Sequence, residues 1–420
     1  MLDFAKRKIC ANQLTNIMKG IAALAPTLLL TLILTSCMSD GYTDTAAGKS
    51  DTYINLNVST PTAQARANAP AGSTAGTSGT LKENETSPDP TDEEKIYSIR
   101  VWAFKSGTGE KAMPIGFKAV TDLSATGSYN VSMKLLRKAA GNLEKDNIDL
   151  FILLNAESIG VLNDNNCNRM TRQALKDATF NSNFGINKDD GSPQATTVPT
   201  TGLPISRVIT NINVKNNIAD NAAAAEKKPV SVPLVRAVSK LHFFFTRKDV
   251  KDTEGVEVTN IEVNEGIVPT QSSVFPTATT DANKETEGLT GDLTTLSYLN
   301  KKMTFGSVAT KDIGPVSDPK WYIRKSDQTA EDYITQLRGV TRECHLSYLR
   351  ETGNNLTGTI YYKLSKNGTV KHKTFSISKA YRNHEMVVYG YFLGDEKSTL
   401  TLNYYVANWN EKRDTNIEFN

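Results

Sequence analysis

Apolar and polar residues alternate with a period of two in short runs along this chain. The first run is YINLNVS (53–59), in which Ile54, Leu56 and Val58 alternate with polar residues. Successive side chains of a strand lie on opposite faces, so these three apolar side chains would share one face. The residues that follow, 59–94, carry no such alternation. We therefore predict one N-terminal strand that is separated along the chain from all the others.

From residue 95 onward, the alternation predicts a chain rich in β-strands. The run NIDLFILLNA (147–156) is apolar on both faces, as in a central strand of a sandwich. Asn367 and Gly368 lie between two alternating runs, which is the strongest short signal for a hairpin. We expect strands at 96–104, 128–135, 147–156, 229–245, 257–266, 358–378 (the hairpin), 384–393 and 399–409, and one short helix at 168–178.

The fold class follows from the spacing of these strands. Short strands between turn signals, with little helix, are typical of antiparallel sandwiches. We expect an all-β protein with two tandem antiparallel β-sandwich domains of the transthyretin-like kind and short helices in loops. The polar stretch RKDVKDTEG (247–255) places the boundary near residue 250, which gives domains at 95–250 and 251–420.

The N-terminus has the features of an export signal. Basic residues at 6–8 and 19 precede the apolar run GIAALAPTLLLTLIL (20–34), which is short for a membrane-spanning helix. The run ends in Leu-Thr-Ser before Cys37, a pattern that resembles the cleavage site of a bacterial lipoprotein. We predict a signal peptide at 1–36 and lipidation of Cys37, with an uncleaved membrane anchor and an incidental cysteine as the alternative.

The stretch between the first strand and the rest of the chain reads as a linker. It is rich in Ser, Thr, Ala, Gly and Pro and then acidic, so it cannot bury enough apolar surface to offset its ordering entropy. Arg66 is the only Lys or Arg between Ser50 and Leu81. We expect a propeptide at 37–66, a flexible linker at 67–94 and an exposed bond between Arg66 and Ala67. From the residues alone, Arg66 is interpreted first as an ordinary solvated charge of the linker, and its interpretation as a cleavage site depends on the family resemblance given below.

Candidate catalytic and metal chemistry is scarce in this sequence. The four histidines, His242, His345, His372 and His384, have no metal-ligand spacing, and no nucleophile elbow, glycine-rich dinucleotide motif or phosphate-binding loop occurs. We expect no enzymatic activity, no cofactor and no metal site. The 48 Lys and Arg and 45 Asp and Glu are scattered and give a net charge of +3, which does not favour a nucleic-acid partner.

Two cysteines of the body are open to two interpretations. Cys10 and Cys37 belong to the signal, and Cys167 and Cys344 are left. Either one disulfide joins Cys167 to Cys344, or both are free thiols.

Several local patterns together resemble the fimbrillin family, the subunits of the type V pili of Bacteroidales. In the long strand, Arg236, Ser239 and Lys240 match the family's R-x-x-(A/S)-K pattern, with serine where alanine is common. The closing strand carries Trp409, and 267–357 matches less clearly. The six matching segments are IYSIRVWAFKSGTGE (96–110), NIDLFILLNAES (147–158), VPTTGLPIS (198–206), VPLVRAVSKLHFFF (232–245), AYRNHEMVVYGYF (380–392) and YYVANWN (404–410).

The resemblance implies assembly rather than catalysis. It implies export as an outer-membrane lipoprotein, cutting after Arg66 by an arginine-specific surface protease, and loss of the first strand, which covers a sheet edge until then. A strand from another pilus subunit then fills the groove and builds a cell-surface fimbrium that supports adhesion. The donor residues would come from one of two C-terminal segments, which the sequence does not distinguish: Leu400, Leu402, Tyr404 and Val406, or Ile417 and Phe419.

Two other functions stay open at this point. The chain could be a tip subunit of the same pilus, with a ligand surface in 267–357 for a host or bacterial partner. It could also be a surface lipoprotein that binds glycans or proteins without polymerising. A secreted hydrolase is the least favoured class, because no catalytic motif is present.

Overall fold

Strands make up nearly all the regular structure that we describe. The computed structural model describes residues 52–59, 92–123, 128–135, 147–164, 166–181, 198–213, 218–219, 222–226, 229–248, 253, 255–277, 290–294, 296–305, 313, 342–364, 368–393, 400–408 and 416–417. All of these residues belong to one unit, Asp51–Asn420. The all-β class predicted from the alternation is confirmed.

The described elements are twenty strands, two short helices and three 3₁₀ turns. The strands are β1 (Thr52–Ser59), β2 (Ile99–Lys105), β3 (Gly116–Val120), β4 (Ser128–Leu135), β5 (Asn147–Leu154), β6 (Thr179–Phe180), β7 (Ile205–Asn213), β8 (Ile218–Ala219), β9 (Val230–Pro233), β10 (Val235–Arg236), β11 (Val238–Arg247), β12 (Glu257–Val263), β13 (Ser272–Ser273), β14 (Met303–Thr304), β15 (Arg342–Arg350), β16 (Asn355–Lys363), β17 (Lys371–Lys379), β18 (His384–Phe392), β19 (Leu400–Asn408) and β20 (Asn416–Ile417). The helices are α1 (Arg172–Lys176) and α2 (Ala222–Ala225), and the 3₁₀ turns are Asp92–Glu94, Ala156–Ser158 and Cys167–Arg169.

Two sheets enclose the core of the first half of the chain. Sheet 1 has the order β4-β1-β8, with β9 also paired to β1, and sheet 2 has the order β10-β7-β5-β2-β3. Their facing side chains form one buried apolar cluster, which includes Val101, Ile152 and Ile209 from sheet 2 and Met133 from sheet 1. The strand β5 is buried on both faces, as its sequence predicted.

Two further sheets enclose the core of the second half. Sheet 3 has the order β15-β11-β18-β19-β20, and sheet 4 has the order β14-β12-β16-β17. Phe243 of β11, Ile360 of β16 and Val388 of β18 lie in its buried cluster. The predicted hairpin is present as β16 and β17, which pair antiparallel from Asn355↔Lys379 to Tyr362↔Lys371.

The long strand expected at 229–245 is divided among three sheets. β9 pairs with β1 in sheet 1, β10 pairs with β7 in sheet 2, and β11 pairs with β15 and β18 in sheet 3. Pro233, which has no N–H group for a ladder, ends β9. The chain therefore passes from the first pair of sheets to the second at Ala237, before the boundary expected near residue 250.

A third apolar cluster joins the two halves. It lies on the face of sheet 2 that points away from sheet 1, where Trp102 and Phe151 are buried. Phe275 from the second half packs edge-on against both rings, with centroids 6.2 Å from Trp102 and 5.2 Å from Phe151. Leu175 of α1 covers the same face. The centre of sheet 2 is therefore buried on both faces, which explains why β5 is apolar on both faces.

The side chain of Asn155 joins three backbone segments of this region by buried hydrogen bonds. It is fully buried in a left-handed conformation (φ 57°) directly after β5. Its Oδ1 accepts from the Tyr97 N–H at 2.8 Å, and its Nδ2 donates to the carbonyl oxygens of Lys95 and Leu203 at 2.9 and 2.8 Å. Gly202 (φ 78°) passes so close that a Cβ there would lie 2.3 Å from Asn155 Nδ2. Asn155 of NIDLFILLNAES and Gly202 of VPTTGLPIS are therefore packed against each other, and this contact holds the two loops together.

Replacement of Asn155 with alanine should destabilise the protein by about 3 kcal/mol, because several buried backbone groups lose their partners and a left-handed residue loses its asparagine. Urea unfolding at pH 7 measures this change. The control is Asn211→Ala, which removes the same residue type at φ 63° from an exposed position, where it accepts a hydrogen bond from the Asn147 side chain at 2.6 Å. Equal effects of the two variants would contradict the role of Asn155.

Candidate functional site: the groove around the first strand

The first strand lies inside its sheet and not at an edge. On one side, β1 pairs antiparallel with β4 along its whole length, from Thr52↔Leu135 to Ser59↔Ser128. On the other side, it pairs antiparallel with β8 through Tyr53 and Ile54 and parallel with β9 through Leu56–Ser59. β1 therefore covers the facing edges of β4 on one side and of β8 and β9 on the other.

The inward face of β1 is wholly buried. Ile54, Leu56 and Val58 each have 0% exposed surface and lie in the core between sheets 1 and 2. The side chains around them are apolar: Val131, Met133 and Leu135 from β4, and Val230 and Val232 from β9. Each of the three β1 side chains contributes about 1.5–3 kcal/mol of burial. We call the space that β1 fills, between β4 and β8/β9, the β1 groove.

The outward face of β1 is polar but carries no charge. Asn55 Nδ2 donates to Ser132 Oγ at 2.9 Å, and Asn57 Nδ2 donates to Asn130 Oδ1 at 3.0 Å. The strand sequence TYINLNVS has no ionisable group other than Tyr53. Apolar burial and main-chain hydrogen bonds therefore hold β1, and salt should affect its retention little.

The two sides of the groove differ in direction. A strand that replaces β1 in its own direction runs antiparallel to β4 and parallel to β9. It also has to present apolar side chains at alternate positions. These two conditions define what the groove accepts.

Several predicted site residues lie outside the described part of the chain. These are Cys37, Arg66, Ala67 and Phe419. In the sequence, 60–91 connects β1 to the 3₁₀ turn Asp92–Glu94, where the described chain resumes. Lipidation and cutting therefore stay predictions.

The two predicted donor segments differ in how firmly they are held. β19 pairs with β18 along its whole length, and Leu400 and Leu402 are 3% and 5% exposed in the core of the second half. Tyr404 is partly buried against that core, and Val406 lies within the same strand. In the described part of the chain, β20, which contains Ile417, pairs with β19 through Tyr404↔Ile417 and Tyr405↔Asn416. Both segments therefore lie at the end of sheet 3.

The chain that follows the linker is fixed where the two halves meet. Glu93 Oε1 accepts from Tyr348 Oη at 2.6 Å and lies 2.8 Å from Lys240 Nζ. Burial alone would raise the pKa of Glu93, but the charges of Lys240 and Arg236 outweigh it and lower the pKa. The 3₁₀ turn that follows the linker is therefore bound to sheet 3 through Glu93, and these contacts do not involve β1.

Glu385 extends the same buried cluster. Its Oε1 lies 3.5 Å from Lys240 Nζ and 3.1 Å from His242 Nε2. Burial alone would raise the pKa of Glu385, but Lys240 and His242 lower it from 4.5 to about 2. The lysine of the R-x-x-(A/S)-K pattern thus bridges two carboxylates, and the sequence alone did not predict this role.

The arginine of the RNH strand has a similar structural role. Arg382 Nε donates to Glu351 Oε2 at 2.8 Å, and both side chains are 0% exposed. Its Nη2 donates to the Ser273 carbonyl oxygen at 2.8 Å. Arg350 Nη1 reaches back to the carbonyl oxygen of Asn181 at 2.8 Å. Arg382 and Arg350 therefore stabilise, by hydrogen bonds to carbonyl oxygens, the segments that meet between the two halves of the chain.

Neither a metal centre nor a membrane-crossing helix is found in the part of the chain that the structure describes. His242 is buried beside Glu385, and His384 Nδ1 lies 2.9 Å from the Arg382 carbonyl oxygen. Cys167 is a free thiol in this structure. Of the two interpretations of the body cysteines, the disulfide between Cys167 and Cys344 is therefore not present.

Comparison with solved structures finds similarity over most of the chain. A fimbrial assembly protein from Parabacteroides distasonis is 12% identical, with a TM-score of 0.43 and coverage of 88% of this chain and 100% of that chain. The tip fimbrial protein Mfa3 from Porphyromonas gingivalis, with C-terminal truncation, is 13% identical, with a TM-score of 0.42 and coverage of 86% and 100%. Both neighbours are described as fimbrial proteins. At these values, the function of this chain has to be argued from its own residues.

No family model matches the chain, and no curated protein sequence matches it either.

Substitution of Leu56 with alanine should lower the stability of the uncut protein by about 2–5 kcal/mol, because it removes a fully buried side chain from the middle of the groove. Urea unfolding followed by far-ultraviolet circular dichroism measures the loss. Asn57→Ala is the control, since it removes only one outward hydrogen bond and should cost less than about 1 kcal/mol. Equal midpoints for the two variants would contradict the burial of Leu56.

Replacement of Glu385 with glutamine should lower stability at pH 7 and reduce sensitivity to acid. With a pKa of about 2 in the fold against 4.5 normally, its charge stabilises the protein above the normal value. That contribution, about 3 kcal/mol, is lost as the pH falls from about 5 to about 2. The urea midpoint of Glu385→Gln should therefore change less over this range than that of the unchanged protein.

The control for this prediction is Glu110→Gln. Glu110 lies 2.6 Å from Lys176 in an ion pair whose side chains are 49% and 46% exposed. Exposed pairs of this kind contribute little, so its pH profile should match that of the unchanged protein. An unchanged acid profile in Glu385→Gln would contradict the stabilising role of the buried charge.

Proposed function

We propose that this protein is a structural subunit of cell-surface fimbriae that is exported as a lipoprotein through Cys37, cut after Arg66 and polymerised by donor-strand exchange. Its partners are then other pilus subunits, an arginine-specific surface protease and, before cutting, the outer membrane. The polymer supports adhesion, and the protein carries out no catalysis.

One observation carries this proposal: an interior strand with a fully buried inward face is joined to the rest of its fold through the long connection 60–91, in which Arg66 lies near the start. Ile54, Leu56 and Val58 have no exposed surface, yet every ladder partner of β1 lies beyond residue 127. The sequence from 60 to 91 joins this strand to the rest, and Arg66 follows it closely. A single cut there leaves the bound strand without a covalent tether.

The covalent connection at 60–91 determines whether β1 stays in the groove. While it is attached, the strand binds in its own sheet at an effective concentration in the millimolar range or above, and other chains cannot compete. After a cut, the strand is an ordinary peptide that a stronger donor can replace. The fixed turn around Glu93 keeps the remaining fold closed at the junction when β1 leaves.

An arginine-specific protease should convert the purified precursor into a chain that starts at Ala67 and assembles. Arg66 is the only arginine between Arg7 and Arg100, so the linker offers one such site. N-terminal sequencing identifies the new end, and an unheated detergent gel shows the ladder of polymers. Arg66→Ala should remain uncut and monomeric, with at least a tenfold loss of polymer.

Arg66→Lys is the matched control. It should resist the arginine-specific protease but assemble after trypsin treatment, which shows that the cut matters and not the arginine itself. Ordinary polymer from uncut Arg66→Ala would overturn the role of Arg66. Cut chains that stay monomeric at every concentration would overturn the polymerising function and favour a tip subunit or a lipoprotein that binds ligands without polymerising.

A further inference from the structure

The wall of the β1 groove that β8 and β9 form has a gap, and the short helix α2 lies over it. β8 pairs with β1 up to Ile54 and β9 pairs with it from Leu56 onward, so the described ladders leave Asn55 without a partner on this side. α2 lies between β8 and β9 in the chain. It contacts β8, β1 and also β4, which pairs with the opposite side of β1. A helix that follows β8 and still reaches β4 has to cross the face of β1.

The face of β1 that α2 crosses is the outward one. The inward face is filled by the apolar core between sheets 1 and 2, which leaves no room for a helix. Asn55 lies on the outward face and is only 1% exposed, whereas Asn57, two residues further along the same face, is only half-buried. Ala225 of α2 is itself fully buried. α2 therefore closes over Asn55 and leaves the end of β1 near Asn57 more open.

We propose that β8 and α2, within residues 218–226, form a strap that has to open before β1 can leave the groove. This inference rests on the proposed function, because it concerns the release of β1, and it adds a step between cutting and release. β8 pairs near the start of β1, whereas the connection 60–91 begins at the end of the strand. A cut after Arg66 therefore removes the connection at one end without opening the strap at the other.

The strap is held by few interactions, so it can open while the core stays closed. β8 pairs with β1 through two residue pairs, Tyr53↔Ala219 and Ile54↔Ile218, whereas β4 pairs with β1 through eight. α2 has four residues, and a helix of that length has little stability of its own. Val230 of β9, which belongs to the core, lies beyond the strap. Local opening of β8 and α2 therefore leaves β4 and β9 in place.

The side chain of Asn55 favours this opening. Its Nδ2 donates to Ser132 Oγ at 2.9 Å. Its Oδ1 is buried and accepts no hydrogen bond in the part of the chain that the structure describes. A buried acceptor without a partner destabilises the closed form. Opening of the strap admits water to this oxygen, and the new hydrogen bond offsets part of the contacts that are lost.

A cross-link between the strap and β4 tests this inference. The four native cysteines are replaced with serine, and Ala223→Cys in α2 is joined to Lys134→Cys in β4 by a short reducible bis-maleimide. Both positions are exposed. After the cut at Arg66, the chain is mixed with excess isotope-labelled peptide of the sequence 52–66, and mass spectrometry follows replacement of the N-terminal fragment. We expect replacement to be slower by roughly tenfold or more in the linked chain and to recover on reduction.

The control carries Ala223→Cys with Glu226→Cys, which places the same link inside the strap, again between exposed positions. This link should not slow replacement. Equal rates in the linked and reduced forms of the Lys134→Cys chain would overturn the inference, because β1 would then leave while the strap is closed. Replacement that depends on the link, in chains that never polymerise, would support the strap and overturn the polymerising function instead.

Hydrogen exchange in the uncut protein gives a second test, which needs no protease. Ala225→Asp places a charge at the fully buried position of α2 and should open the strap. Ala223→Asp places the same charge at an exposed position of the same helix and is the control. We expect the amides of Ile218 and Ala219 in β8 to exchange roughly tenfold faster in Ala225→Asp than in the control. Equal exchange in the two variants would overturn the inference.

Discussion

A strand in the interior of a β-sheet needs a neighbour along each of its two sides, and this requirement governs how β1 is held. β4 supplies one ladder, and β8 with β9 supplies the other. Removal of β1 would leave both ladders open and would uncover apolar residues of sheets 1 and 2. An empty groove is therefore unfavourable, and some strand of suitable pattern has to fill it.

The contacts that join the two halves of the chain do not include β1. The turn around Glu93 is tied to Lys240 and Tyr348 of sheet 3, and Asn155 fixes the loops beside β5. The aromatic cluster around Trp102 and Phe275 joins the two halves from the opposite face of sheet 2. These contacts do not include β1, so the junction does not depend on the strand that the proposed function removes.

The sequence predicted much of this fold, because alternation is a strong signal wherever one face of a strand is buried. It identified β1, β4, β5 and the β16–β17 hairpin. It missed β7, where the left-handed Asn211 breaks the alternation, and β15, where charged residues hide the pattern. It predicted one strand at 229–245, since nothing local shows that successive segments join different sheets. The interior place of β1 and the buried roles of Lys240 and Arg382 depend on partners distant in the chain, which a single sequence does not reveal.

Hydrogen exchange at the amides of β4 and β9 reports on whether β1 fills the groove, because these strands form its walls. We expect strong protection in the uncut protein, loss of protection when cutting after Arg66 releases β1 under conditions that prevent assembly, and restored protection in the polymer. Protection of β4 and β9 that stays the same in the uncut protein, in the cut chain freed of its N-terminal fragment and in the polymer would contradict this expectation.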